Sequence, residues 1–215
     1  MTPEKRDQRA RQIENAAYEI LEKKGFSGLS MQAVARAAKA SNETLYRWYG
    51  DKVGLFEALI RGNAELVVAE LDALRGKTPI ETLGQIGPRI LTMLLGPRAI
   101  ALNRAAAADP GGTLGAALAR EGRMVVGPRI AAVIQGAIAS GQLSGDTPER
   151  MTEVYFGLLI GDQQIRRVTG ASPMPDQDEI NTRAESALAL LRRIFPPELD
   201  AQHQKTYVFA EQDKS

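Results

Sequence analysis

The stretch Ser41-Asn42-Glu43-Thr44-Leu45-Tyr46-Arg47-Trp48-Tyr49-Gly50-Asp51-Lys52 decides how this chain is read. Taken as a short helix, it places Leu45 and the Trp48-Tyr49 pair three and four residues apart, an edge that a small core can hold. Asn42, Glu43, Tyr46 and Arg47 then fall on other faces, where their polar groups can meet a partner. Ser41 is a good N-cap, and Gly50-Asp51 both ends this helix and offers a cap to the next. A short polar helix held by one apolar edge suits the DNA major groove. An ordinary surface helix between two turns would use the same residues, so the neighbouring sequence has to decide.

Upstream, Ile13, Ala16, Ala17, Ile20 and Leu21 recur at helical spacing and form one apolar stripe. Lys23-Lys24-Gly25 supplies a cationic last turn and a glycine stop. Before the stripe, Met1 to Asp7 reads as a frayed basic arm, with helix beginning near Gln8. Phe26 and Leu29 tuck a connector under that helix. Ser30 then caps a second short helix with Met31, Val34 and Ala35 inward. Lys39-Ala40 turns the chain into the Ser41 segment. Two short helices joined by about three residues make a helix-turn-helix.

The run from Ile13 to Leu59, with Gly25-Phe26, Ser30-Met31, Val34-Ala35, Thr44-Leu45-Tyr46, Lys52, Leu55-Phe56 and Leu59 at their spacings, resembles the DNA-binding domain of the tetracycline-repressor family. The resemblance implies an all-α homodimer whose third helix enters the major groove, with a C-terminal helical domain that senses a small ligand. It places DNA contacts at Gln32, Asn42, Glu43, Thr44, Tyr46, Trp48 and Lys52, and Arg47 joins them if it faces the groove. The side chains suit this. Thr44, Tyr46 and Lys52 offer donors to phosphate oxygens, and Lys52 opens a helix whose free N–H groups also favour anions. Asn42 and Gln32 match adenine, Glu43 can accept from cytosine, and Arg47 matches guanine. Three residues depart from the family pattern: Lys39 where a turn glycine is usual, Glu43 for a small residue, and Trp48-Tyr49 for His-Phe. Lys39 requires a left-handed or altered turn without glycine's ease.

Composition removes other classes. The 215 residues contain no cysteine, which excludes disulfides, thiolate metal sites and cysteine nucleophiles. The single histidine, His203, has no second histidine to pair with. Residues 1–62 carry 11 Lys/Arg against 8 Asp/Glu, and the remainder 16 against 18, a mild asymmetry toward a basic N-terminal part. The polar, charged opening from Met1 to Arg11 is not a signal peptide, and no apolar run reaches the ~18–20 residues of a membrane span. The expected setting is cytoplasmic, with no membrane partner.

Downstream, a helix from Asp51 through Leu71 leads out of the first domain. Thr78-Pro79 and Thr147-Pro148 start further helices, and Pro88 is expected to kink the one it falls in. Leu114 to Ala139 reads as a long helix broken near Gly127-Pro128. The resemblance puts the ligand pocket among these middle helices, with Leu91, Leu94, Leu102, Met124, Val125, Ile130 and Ile134 as apolar candidates. Asn103, Arg104, Asp162 and Gln163 are the polar groups beside them, and such stripes are more often plain core. The helix after Thr147 is apolar on two faces, with Gly157 and Gly161 four apart, and the last helix runs from about Asp176 to Phe195. The resemblance places both in a dimeric four-helix bundle, using Val154, Tyr155, Gly157, Leu158, Gly161, Ala184, Ala187, Leu188 and Leu191.

The expected organisation is all-α, about nine helices: a helix-turn-helix domain at 1–62, a ligand-sensing and dimerisation domain at 63–195, and a flexible tail at 196–215. The expected function is a ligand-responsive transcriptional regulator, a repressor of a near-palindromic operator released by a small apolar or amphipathic molecule. Its partners are double-stranded DNA, a second copy of itself and that effector; no catalytic residues, cofactor or metal are expected. The C-terminal half also looks similar to regulators linked to multidrug efflux. A ligand-independent dimeric DNA-binding module, or an α-helical enzyme, are the alternatives.

Overall fold

A computed structural model describes residues 2–198; the tail beyond, with His203 and Tyr207-Val208-Phe209, lies outside the described residues. Among the described residues all regular structure is helical: α1 (Pro3–Gly28), α2 (Met31–Ala37), α3 (Asn42–Tyr49), α4 (Lys52–Ala73), α5 (Pro79–Leu95), α6 (Pro97–Ala107), α7 (Thr113–Leu118), a π-helical turn (Ala119–Arg123), α8 (Met124–Ala139), α9 (Pro148–Ile160), α10 (Gln163–Thr169) and α11 (Gln177–Ile194). The helices beyond the expected nine are short pieces such as α7 and α10. No helix among the described residues is long and apolar enough to cross a membrane, and no cluster of His, Asp or Glu could hold a metal ion.

Local chemistry explains most boundaries. Ser30, Ser41 and Thr147 each accept a hydrogen bond from the backbone N–H three residues on, satisfying donors that a helix start leaves open. Asp176 and Glu179 form a reciprocal capping box at α11, and Thr78 and Glu81 do the same before α5. Two expectations are corrected. The first helix begins at Pro3, not near Gln8, because Thr2 caps it, Pro3 supplies its first position and Glu4 is acidic in its first turn. The long helix is interrupted by the π-helical turn at Ala119–Arg123, and α8 runs on through Pro128. Gly25 (φ 64°, ψ −173°) breaks α1 before the Phe26–Gly28 turn, a conformation that glycine adopts without strain.

The chain packs as two compact units, and the division differs from the boundary expected at residue 62. The first takes the described chain up to Leu66 with Met93–Val125 and Ile165–Ser172. The second takes Val67–Thr92, Val126–Gln164 and the described chain from Pro173. In the first, Ile13, Ala17, Leu21, Val34, Leu45, Leu55, Phe56 and Leu59 share one core with Ala101, Leu102, Ala105, Leu114 and Ala117. The helix-turn-helix is therefore not packed alone: α6 lies along α1 and closes its core. The buried Tyr18 hydroxyl donates to the Leu59 carbonyl at 2.7 Å, so its polar end is satisfied. In the second unit α9 packs on α11. The Tyr155 hydroxyl donates to the Leu83 carbonyl at 2.9 Å. A Cβ at Gly87 would lie 2.8 Å from the same hydroxyl oxygen; this glycine makes room for the ring.

Candidate nucleic-acid interface

The helix-turn-helix is built from α2, the turn Ala38–Ala40 and α3. Lys39 holds φ 52°, the one left-handed non-glycine among the described residues. The turn is tied by Ala40 N–H donating to the Ala35 carbonyl at 2.8 Å. It is also gripped from α1: the Arg9 guanidinium donates to the Ala38 carbonyl at 3.1 Å and to the Lys39 carbonyl, while reaching Gln12 at 2.9 Å. Arg9 was not foreseen; the only hint was its place among the N-terminal basic residues.

In α3 the expected division of faces is present. Leu45 is fully buried in the first unit's core, while Asn42, Glu43, Tyr46 and Arg47 are exposed, Tyr46 at 52%. Gln32 on α2 is exposed as well. Glu43 and Arg47 approach to 4.0 Å on solvent-facing side chains, a weak pair. Thr44 is half-buried, its hydroxyl 2.8 Å from the Ser41 hydroxyl.

Two details depart from expectation. Trp48 is half-buried and packs against the core, edge-on to Tyr49 at 6.5 Å, with the Arg6 guanidinium 5.7 Å from its ring. The indole is thus largely an anchor for α3. At the start of α4, Asp51 already accepts from the N–H groups of Val53 (2.9 Å) and Gly54 (2.8 Å), so these donors are not open to an anion. Lys52 remains half-buried at the first position of α4, with its ammonium 3.8 Å from the Phe26 ring centre. That burial pulls its pKa below the ordinary lysine value. The Tyr49 hydroxyl is buried without a hydrogen-bond partner among the described residues, and burial raises its pKa.

The expected ligand-pocket residues are not gathered in one described cavity. Leu94, Leu102, Asn103, Met124 and Val125 belong to the first unit, and Leu91, Ile130, Ile134 and Asp162 to the second. Leu102 is corrected outright, since it packs in the core shared with α1. Leu91, Ile130 and Ile134 are fully buried, whereas Met124 is 67% exposed. Asn103 donates to the Ala99 carbonyl one turn back, at 2.8 Å. A cavity of about 750 Å³ does lie in the first unit, between the end of α1 and α6, and of the residues expected at the ligand pocket Arg104 alone lines it.

The expected dimer residues divide in two. Tyr155, Ala184, Ala187 and Leu191 are buried in the chain's own second unit, so they are not free to meet another copy. Val154, Gly157, Leu158, Gly161 and Leu188 keep exposed surface, joined by Leu190 and Ile194 at 42% and 51% exposure. Periodicity marks apolar faces but does not say which of two faces is turned inward.

Comparison with known proteins bears on the whole chain. Residues 13–59 match the model for bacterial regulatory proteins of the tetR family, and residues 81–195 match that for the C-terminal domain of AefR-like transcriptional repressors. The chain belongs to the TetR family. It is a DNA-binding transcriptional regulator by that membership, with the all-α TetR fold and its N-terminal helix-turn-helix. A TetR transcriptional regulator from Agrobacterium tumefaciens is 27% identical, with a TM-score of 0.72 over 92% of this chain and 97% of that one. The flavonoid-responsive regulator FrrA is 25% identical, with a TM-score of 0.65 over 89% and 99%. The regulator FadR from Bacillus subtilis, in complex with stearoyl-CoA, shares the TetR fold at 15% identity, with a TM-score of 0.68 over 84% and 96%. No curated protein sequence matches the chain.

Proposed function

We propose that this TetR-family regulator is a repressor that binds a near-palindromic operator as a homodimer and leaves it when a small apolar or amphipathic molecule binds. The observation that carries the reading is the exposed polar face of α3, held by the fully buried Leu45 beside the family match over residues 13–59. In this reading 1–62 is the DNA-contacting part and 63–195 senses and dimerises. Asn42, Arg47, Gln32 and Glu43 meet base edges, and Thr44, Tyr46 and Lys52 meet phosphates. Trp48 holds the helix at its correct depth. The surface left by Val154, Gly157, Leu158, Gly161 and Leu188 receives the second copy. A two-fold pair of recognition helices reads half-sites about one DNA turn (~34–36 Å) apart. The effector reading is supported by FrrA, which is flavonoid-responsive, and by FadR, which was solved with stearoyl-CoA.

The test is footprinting and salt-dependent binding on DNA flanking the chain's own gene, comparing wild type with Tyr46→Ala and Lys52→Ala. Trp48, the single tryptophan, reports binding by fluorescence. The reading expects a protected near-palindrome, weakened steeply by salt and by both substitutions. No protected sequence there or in a genome-wide selection sinks it.

A further inference from the structure

The 750 Å³ groove between the end of α1 and α6 has the size of a small-molecule site and a chemistry that selects a ligand. One wall is Ala101, Ala105 and Ala108, which recur at four and three residues along α6 and its C-cap; the first two form a buried floor and Ala108 is exposed at its mouth. The facing wall includes Leu21, on α1 before the break at Gly25, and Phe26, just after it. Two guanidiniums border this apolar bed. Arg104 donates to the carbonyls of Val168 (2.8 Å) and Arg167 (3.1 Å). Arg167 donates to those of Leu95 (3.1 Å) and Ser172 (3.3 Å).

These four acceptors are neutral, so they fix both guanidiniums without cancelling their charge. Among the described residues neither arginine is in an ion pair. Asp109 also lines the groove but is in no ion pair with either guanidinium; its two oxygens accept from the N–H groups of Gly111 (3.1 Å) and Leu114 (2.9 Å). Glu22, the other acid of the lining, is exposed, where its charge is screened by water. The lining thus carries two charges of each sign, but both guanidiniums are left without an ionic partner among the described residues, at the edge of an apolar bed. Pre-oriented guanidiniums are good carboxylate ligands because the geometry is set before binding.

We propose that this groove binds a small amphipathic carboxylate, its chain along the alanine floor and its head between Arg104 and Arg167. The site has a direct route to the DNA-contacting surface. Phe26 lines the groove, meets Phe56 edge-on at 5.5 Å and carries the Lys52 ammonium 3.8 Å from its ring centre. A ligand that moves Phe26 moves the cation assigned above to phosphate. This consequence rests on the operator reading; the binding itself does not.

The test is isothermal titration of the full-length protein with decanoate and with decylamine, for wild type, Arg104→Gln and Ala108→Trp. Ala108 is exposed at the end of α6, so the indole fills the groove from its mouth, and matching thermal melts show that both variants are folded. The proposal expects decanoate to bind, each substitution to weaken it about tenfold or more, and decylamine to bind at least about tenfold more weakly than decanoate. Absence of decanoate binding, equal binding by wild type and both variants, or equal binding of the amine overturns it. The titration needs no DNA, so its result stands whether or not an operator is found. Where one is found, retention of the operator at saturating decanoate overturns the coupling through Phe26.

Discussion

Arg9 donates to the backbone carbonyl of Lys39, so the one left-handed non-glycine among the described residues is held by a cation thirty positions earlier in the chain. A left-handed lysine costs about 1–2 kcal/mol, and glycine recovers that at an entropic cost of about 0.5–1 kcal/mol. Lys39→Gly is therefore expected to raise the unfolding free energy by about 0.5–1 kcal/mol. Arg9→Ala is expected to lower it by about 1–2 kcal/mol, since charge-assisted bonds to two carbonyls are lost. Urea unfolding of both single variants and the double variant measures this, and strict additivity would show that the two are not coupled.

Glu43 sits 4.0 Å from Arg47 on the exposed face of α3. Glu43→Ala should leave stability within about 0.5 kcal/mol, because an exposed pair contributes little. Its effect is expected on recognition: with the carboxylate gone, bases it repelled are tolerated and Arg47 is released. In vitro selection of operator variants should return a broader consensus for Glu43→Ala than for wild type. An unchanged consensus removes Glu43 from specificity.

Acid should act on the first unit through two carboxylates with opposite signs. Glu121 in the π-helical turn is held below its ordinary value of 4.5 by hydrogen bonds from Arg120 and Arg61; Arg120 also reaches Glu57 at 2.5 Å. A depressed folded value gives stability that is present above pH 4.5 and lost as pH falls through it. Glu14 is raised, first by burial and then by Glu65, so its ionised form weighs against the fold. Glu121→Gln should cost stability at pH 7 and little below the depressed value. Glu14→Gln should add stability at pH 7, and that gain should fade on acidification. Unfolding midpoints across pH 3–8 separate the two.

In the second unit, Gly87→Ala should destabilise by about 1–3 kcal/mol, the range for overfilling a packed core, because its Cβ would stand 2.8 Å from the Tyr155 oxygen. Tyr155→Phe alone should cost about 1 kcal/mol for the lost bond to the Leu83 carbonyl. It should also make Gly87→Ala cheaper. Thermal melts of the four combinations decide it, and an unrelieved penalty in the Phe background would point to Ala184 instead, 3.4 Å away.

How much of this was legible follows from the range over which each feature is determined. Caps, stops and the Leu45 edge of α3 are set within a turn of helix, and Ser30, Ser41 and Thr147 behave as their residue types dictate. The cap at Thr2 is legible too, since Thr2-Pro3-Glu4 is the pattern of a capped helix start. Features set by distant segments were not legible. Nothing near Arg9 indicates that it closes a turn thirty residues away, and nothing near Leu102 indicates that α6 completes the core of α1. Tyr155 and Leu158 share one apolar helix, yet only the first is fully buried. The groove is illegible for the same reason: Ala101, Ala105 and Ala108 border a cavity only because the distant end of α1 lies across from them.

The fit of Tyr155 against Gly87 also constrains the order in which this protein can change. A side chain at position 87 meets the phenol oxygen while the tyrosine remains, so the first step along that route is penalised. Loss of the hydroxyl at position 155 comes at a smaller cost and opens the space. Among descendants of this sequence, a residue larger than glycine at 87 should therefore be found on lineages that had already replaced the tyrosine, and seldom on those that kept it.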